Sequence, residues 1–175
     1  MRRTLSIGLV AAMLLVGCGD QVQTGTIAWY RTPCSGNGLT AYQCTVVIDE
    51  AGVATSFHGW IDGYTPVWGV EADVRYVIEG PSGDPDDVGK YEIQRVVATR
   101  TVAAGTTAAW QVPASRRWFT ADGDRVRLLG TPVACAPALC ADLIARNEAA
   151  VPFVVDIEAT GDPAVPVRAL AIRAP

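Results

Sequence analysis

The chain has 175 residues, of which 50% are hydrophobic, and a formal net charge of −4. An acidic chain without clusters of basic residues lacks the positive surface that attracts nucleic acid or anionic lipid, so neither is expected as a charge-driven partner. The length accommodates one well-packed domain or two small ones.

The first apolar run is too short to cross a membrane. It covers residues 5–16 and follows two arginines, whereas a bilayer-spanning helix needs about 20 apolar residues. A basic start, a short apolar segment and small residues at its end are typical of a secretory signal peptide. The run closes with Leu15-Val16-Gly17-Cys18, which resembles the bacterial lipobox. The resemblance implies cleavage before Cys18 and its acylation; the alternative is an ordinary signal peptide with an incidental cysteine.

The resemblance predicts how the protein is attached and where it resides. Residues 1–17 are the expected signal peptide and residues 18–25 a lipidated, small and polar tether. Beyond the signal, 12 cationic and 18 acidic residues remain, a net charge of −6. Two or three acyl chains hold a protein firmly at a bilayer, where one binds only marginally. The expected location is the bacterial cell envelope, facing the periplasm or the exterior, with the choice of membrane left open.

The region 26–112 is predicted to be a domain of mostly antiparallel β structure. Val70–Glu79 alternates apolar and polar residues, as a half-buried strand does. Segments 43–49 and 54–61 flank a turn signal and are predicted to form a hairpin. Further strands are expected at 91–102 and 108–112, and a loop rich in Gly, Pro and Asp is expected at 80–89.

The region 113–175 is predicted to be an extension that contains the one helix. Pro137 suits the first turn of a helix at 137–150, and Asp142 and Arg146 can pair at i, i+4. An apolar stripe on this helix consists of Leu139, Cys140, Leu143 and Ile144. Strands are expected at 125–133, 153–159 and 167–173. The sequence leaves open whether this region shares one core with the first.

Four cysteines follow Cys18, and an even number in an exported chain indicates two disulfides. Three pairings are possible, and we favour the local one, Cys34–Cys44 with Cys135–Cys140, because it closes short loops. The alternative is a metal site. Zinc sites need four Cys or His ligands from paired clusters, and the single histidine is far away in the sequence, so we predict no metal.

An ordered set of motifs in the first half resembles a known family. In chain order they are Cys34-Ser35-Gly36, Gln43-Cys44-Thr45-Val46-Val47, Ile61-Asp62-Gly63-Tyr64 and Gly69-Val70-Glu71. The set covers about residues 24–103 and resembles the uncharacterised β-rich domain that accompanies META-type heat-shock lipoproteins in bacteria. The resemblance implies a small β-rich envelope lipoprotein and supplies no activity and no catalytic residues. The chain departs from that family by adding a C-terminal region with its own cysteine pair.

The sequence contains no recognisable catalytic motif. A serine hydrolase needs a base beside its nucleophile, and the single histidine, His58, is expected on a strand surface or rim. The segment at 80–84, GPSGD, lacks the glycine spacing of a nucleophile elbow. Asp84, Asp86 and Asp87 lack the order of a calcium-binding loop and indicate a solvated turn. We therefore predict that the protein is not an enzyme, with a hydrolase as the least favoured function.

Six aromatic residues lie close together in the first half: Trp29, Tyr30, Tyr42, Trp60, Tyr64 and Trp68. Aromatic side chains dominate small cores, so core packing is the first interpretation. The alternative is that Tyr64 and Trp68, which flank a proline in a loop, are exposed and anchor a partner, because interface hot spots favour Trp and Tyr.

Taken together, these features indicate a lipid-anchored envelope protein whose folded part is mainly β, a small antiparallel barrel or sandwich with one C-terminal helix. We expect a non-catalytic binding or structural module, with an envelope protein as its candidate partner. The alternative is a carrier that holds a small apolar molecule among Trp60, Tyr64 and Trp68, within or at the mouth of the β structure. No cofactor is expected.

Overall fold

A computed structural model describes residues 22–35, 41–57, 60–79, 90–115, 117–123 and 125–175. Within these ranges the chain forms twelve strands and one helix. The strands of the first half are β1 (Gln23–Ser35), β2 (Ala41–Asp49), β3 (Ala54–Phe57), β4 (Trp60–Asp62), β5 (Val70–Glu79) and β6 (Lys90–Thr101). The second half contains β7 (Thr107–Val112), β8 (Phe119–Asp122), β9 (Arg125–Leu128), β10 (Thr131–Ala134), α1 (Pro137–Ala149), β11 (Phe153–Ala159) and β12 (Val167–Arg173).

The strands form two six-stranded sheets, which confirms the mainly β class with one helix. The first sheet has the order β3-β2-β1-β5-β6-β4, and the second has the order β7-β11-β12-β10-β9-β8. Neighbouring strands are antiparallel except for β4 with β6 and β10 with β12. Neither sheet closes on itself, so of the two predicted architectures the sandwich is the one that fits.

The boundary between the sheets differs from the expected division at residue 112. β7 pairs with β11 along its whole length, from Thr107 with Glu158 to Val112 with Phe153, so it belongs to the second sheet. The composition of this segment could not reveal its partner, which lies about forty residues later. The start of the fold differs too: β1 begins at Gln23, so the last three residues of the predicted tether are in a strand that pairs with β5.

Two predicted strands are each divided in the structure. The segment 125–133 is two strands, because Leu129 and Gly130 have φ angles of 45° and 93° and form a turn between β9 and β10. A positive φ interrupts a strand, and leucine in that conformation gives no signal in the sequence. The segment 54–61 is divided as well: β3 pairs with β2, whereas β4 pairs with β6 at the opposite edge of the sheet.

Two hydrophobic clusters hold the fold together. The smaller one lies on the first sheet and contains Ile27, Val47, Phe57, Ala72, Val74, Tyr76, Tyr91 and Ile93. The larger one is built from the second sheet and α1, with Trp110, Trp118 and Leu143 among its fully buried side chains. It also contains Trp29 from β1, which belongs to the first sheet. β1 therefore contributes side chains to both clusters and connects the two halves of the fold.

An irregularity in β1 explains how one strand contributes to both clusters. Ile27 is paired with Val47 and Arg31 with Thr45, so three residues of β1 stand opposite one residue of β2. Residues i and i+2 of a regular strand share a face. The bulge breaks that alternation, which allows Ile27 to pack in the smaller cluster while Trp29 packs in the larger one.

Beyond the bulge, a polar side chain joins the β1–β2 hairpin to the second sheet. The Gln43 amide nitrogen donates hydrogen bonds to the Leu128 carbonyl oxygen at 2.7 Å and to the Thr131 hydroxyl at 2.8 Å. These two acceptors lie on either side of the turn between β9 and β10. The hairpin is therefore fixed to the second sheet by hydrogen bonds as well as by the packing of Trp29.

The smaller cluster makes the stability of the fold sensitive to alkaline pH. Burial raises the pKa of Tyr91, and burial together with the nearby Tyr91, Asp49 and Glu50 raises the pKa of Tyr76. An unfolded tyrosine ionises near pH 10. Since the folded state holds these protons more tightly, the contribution of the two phenols to stability is fully present below about pH 10. It is lost as the pH rises through the raised pKa values.

We expect the Tyr91→Phe variant to lose less stability than the wild type when the pH is raised from about 8 to about 11, because one of the protected phenols is gone. Urea unfolding at each pH measures the difference. Tyr42→Phe, at an exposed position on β2, is the control and should follow the wild type. An identical pH dependence in Tyr91→Phe and the wild type would contradict the assignment.

Candidate functional site

Both cysteine pairs of the predicted local pairing lie at disulfide distance. Cys34 and Cys44 connect β1 with β2, with Cα atoms 5.8 Å apart. Cys135 and Cys140 connect the entry loop of α1 with its first turn, with Cα atoms 5.5 Å apart. The first pair fastens the hairpin that reaches the second sheet, and the second fixes where α1 begins.

Two of the aromatic candidates, Tyr64 and Trp68, pack against different clusters. Tyr64 packs against the smaller cluster, and Trp68 packs against the larger one, with its ring 6.3 Å from that of Trp110 in an edge-to-face arrangement. Both side chains are half-buried. Tyr64 and Trp68 are therefore partly packed, each against a different cluster, and each keeps part of its side chain exposed. Trp60 begins β4, opposite Lys90 of β6, and its side chain lies outside the described part.

Several candidates from the sequence lie outside the described residues. These are the predicted lipidation site Cys18, His58 and the aspartates of segment 80–89. In the part of the chain that is described, no three His, Cys, Asp or Glu side chains are grouped so that they could hold a metal ion. In the same ranges no helix combines the length and the apolar character of a membrane span.

A groove lies between α1 and the β8–β9 hairpin. Its volume is about 460 Å³. The buried side chains of Val126 and Cys140 form its floor. Its walls are formed by Ala121 on β8 and by small or apolar residues of α1, namely Pro137, Ala141, Ile144 and Ala145. Arg125 and Glu148 carry the charges that line it.

A buried asparagine fixes α1 at one end of this groove. Asn147 is 4% exposed. Its side-chain oxygen accepts hydrogen bonds from the backbone N–H groups of Trp118 and Phe119 at 3.0 and 3.2 Å. Its side-chain nitrogen donates to the Phe119 carbonyl oxygen at 3.1 Å. The amide group thus satisfies the edge of β8 as the backbone of another strand would.

The edge of β8 continues past Asn147 into the groove. β8 is the last strand of its sheet, with β9 on its other side. Residues of an antiparallel pair direct their N–H and C=O groups alternately toward and away from the partner strand. Since those of Phe119 point away from β9 to Asn147, those of Ala121, two residues on, point the same way. Ala121, which lines the groove, therefore directs a backbone donor and acceptor away from β9, and the apolar floor lies beside this residue.

Sequence reasoning identified the helix but missed the role of Asn147. The predicted stripe continues at i+3 and i+4 spacing from Leu143 and Ile144 to Asn147. A polar residue on the buried face of a helix needs a hydrogen-bonding partner, and that position was the available signal. The ion pair predicted within the helix is present, with 3.1 Å between the Arg146 guanidinium and the Asp142 carboxylate.

Comparison with known proteins gives no relative for this chain. No family model matches it, and neither a curated protein nor a solved structure does so.

We expect Asn147→Leu to lower the free energy of unfolding by about 2–4 kcal/mol, because it leaves two backbone N–H groups and one carbonyl at the β8 edge without partners. Urea denaturation measures the loss. Asn147→Asp should also destabilise, since it removes the donor and sets a carboxylate against the Phe119 carbonyl. Glu148→Ala, at the neighbouring exposed position, is the control. If Asn147→Leu unfolded at the same urea concentration as the wild type, the bridging role would be refuted.

Proposed function

We propose that this protein is a lipid-anchored component of the bacterial cell envelope and that its β domain is a non-catalytic binding or structural module. The observation that carries the proposal is Leu15-Val16-Gly17-Cys18 at the end of a short apolar run. The fold also limits the distance between Cys18 and the domain. β1 begins five residues after Cys18, a span of at most about 17 Å. A lipid on Cys18 therefore holds the domain close to the bilayer.

The cysteine pairs and the charge support this location. Two disulfides are typical of exported domains, and both pairs in this chain are at disulfide distance. A net charge of −6 beyond the predicted signal gives no electrostatic attraction to anionic lipid. The attachment therefore depends on the acyl chains alone. The motifs of residues 24–103, although no family model matches the chain, resemble a β-rich lipoprotein family, and that resemblance implies the same location.

The surface charges support a structural or binding role over a catalytic one. Arginines on the strands pair with carboxylates at 2.7–3.1 Å, as in Arg100 with Glu71, Arg168 with Glu158 and Arg173 with Asp156. These pairs connect neighbouring strands along the sheet surfaces and do not converge on a cavity. Exposed pairs of this kind contribute about 0–1 kcal/mol each, and these three arginines are engaged with carboxylates of the neighbouring strand.

We expect a fatty-acid label to be incorporated into the full-length chain when it is expressed in a lipoprotein-processing bacterium, and the product to sediment with membranes. Cys18→Ser should abolish both results, because the acylated thiol is removed. The double variant Cys34→Ser/Cys44→Ser is the matched control: it lacks two other cysteines and should keep the label. An unlabelled wild-type protein that stays in the soluble fraction would overturn the proposal.

A second cleft is compatible with the alternative of a small-molecule carrier, but none of the residues predicted to hold the molecule, Trp60, Tyr64 and Trp68, lines it. It lies between the first sheet and β7, has a volume of about 440 Å³ and is lined by side chains such as Tyr30, Val46, Ser56 and Gln111. Natural ligand pockets have volumes of about 300–1,000 Å³. A carrier should retain a bound molecule through purification, so native mass spectrometry should detect an added mass. A spectrum that contains only the mass of the protein and its lipid would contradict this alternative.

A further inference from the structure

We propose that the groove between α1 and β8 binds a peptide segment in extended conformation, which adds to the second sheet as a seventh strand. The proposal names a partner class for the binding module proposed above. It concerns the folded domain alone, so it can succeed or fail independently of lipidation at Cys18.

The hydrogen-bonding groups of the groove favour an extended backbone as the occupant. The outward N–H and C=O of Ala121 form one donor and one acceptor on the same side of β8, which is the arrangement that a neighbouring strand requires. Asn147 already supplies this complement to Phe119, one step earlier along the same edge. A peptide backbone beside Ala121 supplies the matching acceptor and donor, and so continues the hydrogen-bonding pattern that Asn147 begins at Phe119. An apolar molecule without an amide backbone leaves it incomplete.

The opposite wall of the groove is formed mostly by small side chains. Ala141 and Ala145, both exposed, face the groove from α1, while Ile144 supplies a larger apolar surface between them. Peptides that add to a sheet edge beside a helix use main-chain hydrogen bonds for affinity and pockets for alternate side chains for specificity. The apolar floor here suits small apolar side chains at alternate positions.

The charges of the groove give the occupant a direction. Glu148 follows Asn147, which contacts Phe119 at the start of β8. Arg125 of β9 lies opposite Asp122 in the strand register, at the end of β8. Neither Arg125 nor Glu148 makes a salt bridge with another described residue. A peptide parallel to β8 with a basic residue first and an acidic residue last places each charge beside its opposite.

The test uses a fluorescent six-residue probe, blocked at both ends, with the sequence Lys-Ala-Val-Ala-Val-Asp. We expect saturable binding to the purified full-length protein, measured by fluorescence anisotropy. A probe with the same composition but exchanged end charges should bind at least tenfold more weakly. A probe N-methylated at alternate amides should lose binding, because it cannot form the main-chain hydrogen bonds of a strand.

Two variants place the binding at this edge. Ala121→Pro removes the outward N–H without removing a bond to β9, and proline is tolerated at such an edge position. Ala145→Gln keeps a good helix former and fills the groove. Both should weaken binding at least tenfold while retaining the far-ultraviolet circular dichroism of the wild type. Thr120→Ala, at the preceding exposed position of β8, is the control and should bind normally.

Three results would overturn the proposal of peptide binding at β8. Binding that survives N-methylation of the probe, or that is unchanged in Ala145→Gln, would overturn the proposal in favour of a purely apolar ligand or another site. Absence of saturable binding by the wild type would also overturn it. Cys18→Ser protein should bind the probe as the wild type does, so failure of the lipid anchor and failure of peptide binding are separate results.

Discussion

The backbone groups at the outer edge of β8 impose the constraint on which the second half of the structure depends. A sheet must end somewhere, and the N–H and C=O groups of its last strand need partners wherever they are buried. Here one asparagine on α1 supplies partners for Trp118 and Phe119. That requirement sets the position of the helix against the sheet. The disulfide at the start of α1 and the packing of Leu143 then fix the helix in that position.

A second requirement, that the two sheets be joined, is met by β1. The extra residues of its bulge direct Ile27 and Trp29 to different clusters, and the hairpin beyond the bulge reaches the second sheet through Gln43. The disulfide between Cys34 and Cys44 lies in this same hairpin. A lipid attached a few residues before β1 would therefore be connected to the strand that joins both halves of the fold.

The sequence predicts those parts of the fold that depend on local periodicity. β5 has the predicted bounds because its side chains alternate cleanly, and α1 ends within one residue of its predicted bound because proline, an apolar stripe and an ion pair agree. The local cysteine pairing follows from loop length in the same way. The predictions fail where the structure depends on distant residues, as in the pairing of β7 with β11. They also fail where it depends on backbone conformation, as in the positive φ of Leu129.

The candidate site could be predicted only in part, for the same reason. The apolar stripe of α1 can be predicted from residue spacing. Its partner strand β8, however, is short and belongs to a hairpin whose position depends on the whole sheet. The hypothesis based on Tyr64 and Trp68 shows the opposite case. Both residues occupy a loop that looks exposed in sequence, yet each packs on a different cluster. Local composition predicts that these side chains are exposed, whereas tertiary packing leaves each of them half-buried.

Amide hydrogen exchange by nuclear magnetic resonance on the unliganded protein tests the asparagine bridge and the open edge together. It compares Phe119 with Ala121, which lie two residues apart on the same edge of β8. We expect slow exchange at Phe119, whose N–H is bonded to Asn147, and exchange close to the rate of an unprotected amide at Ala121. Equal protection at both positions would contradict the open edge, and fast exchange at Phe119 would contradict the asparagine bridge itself.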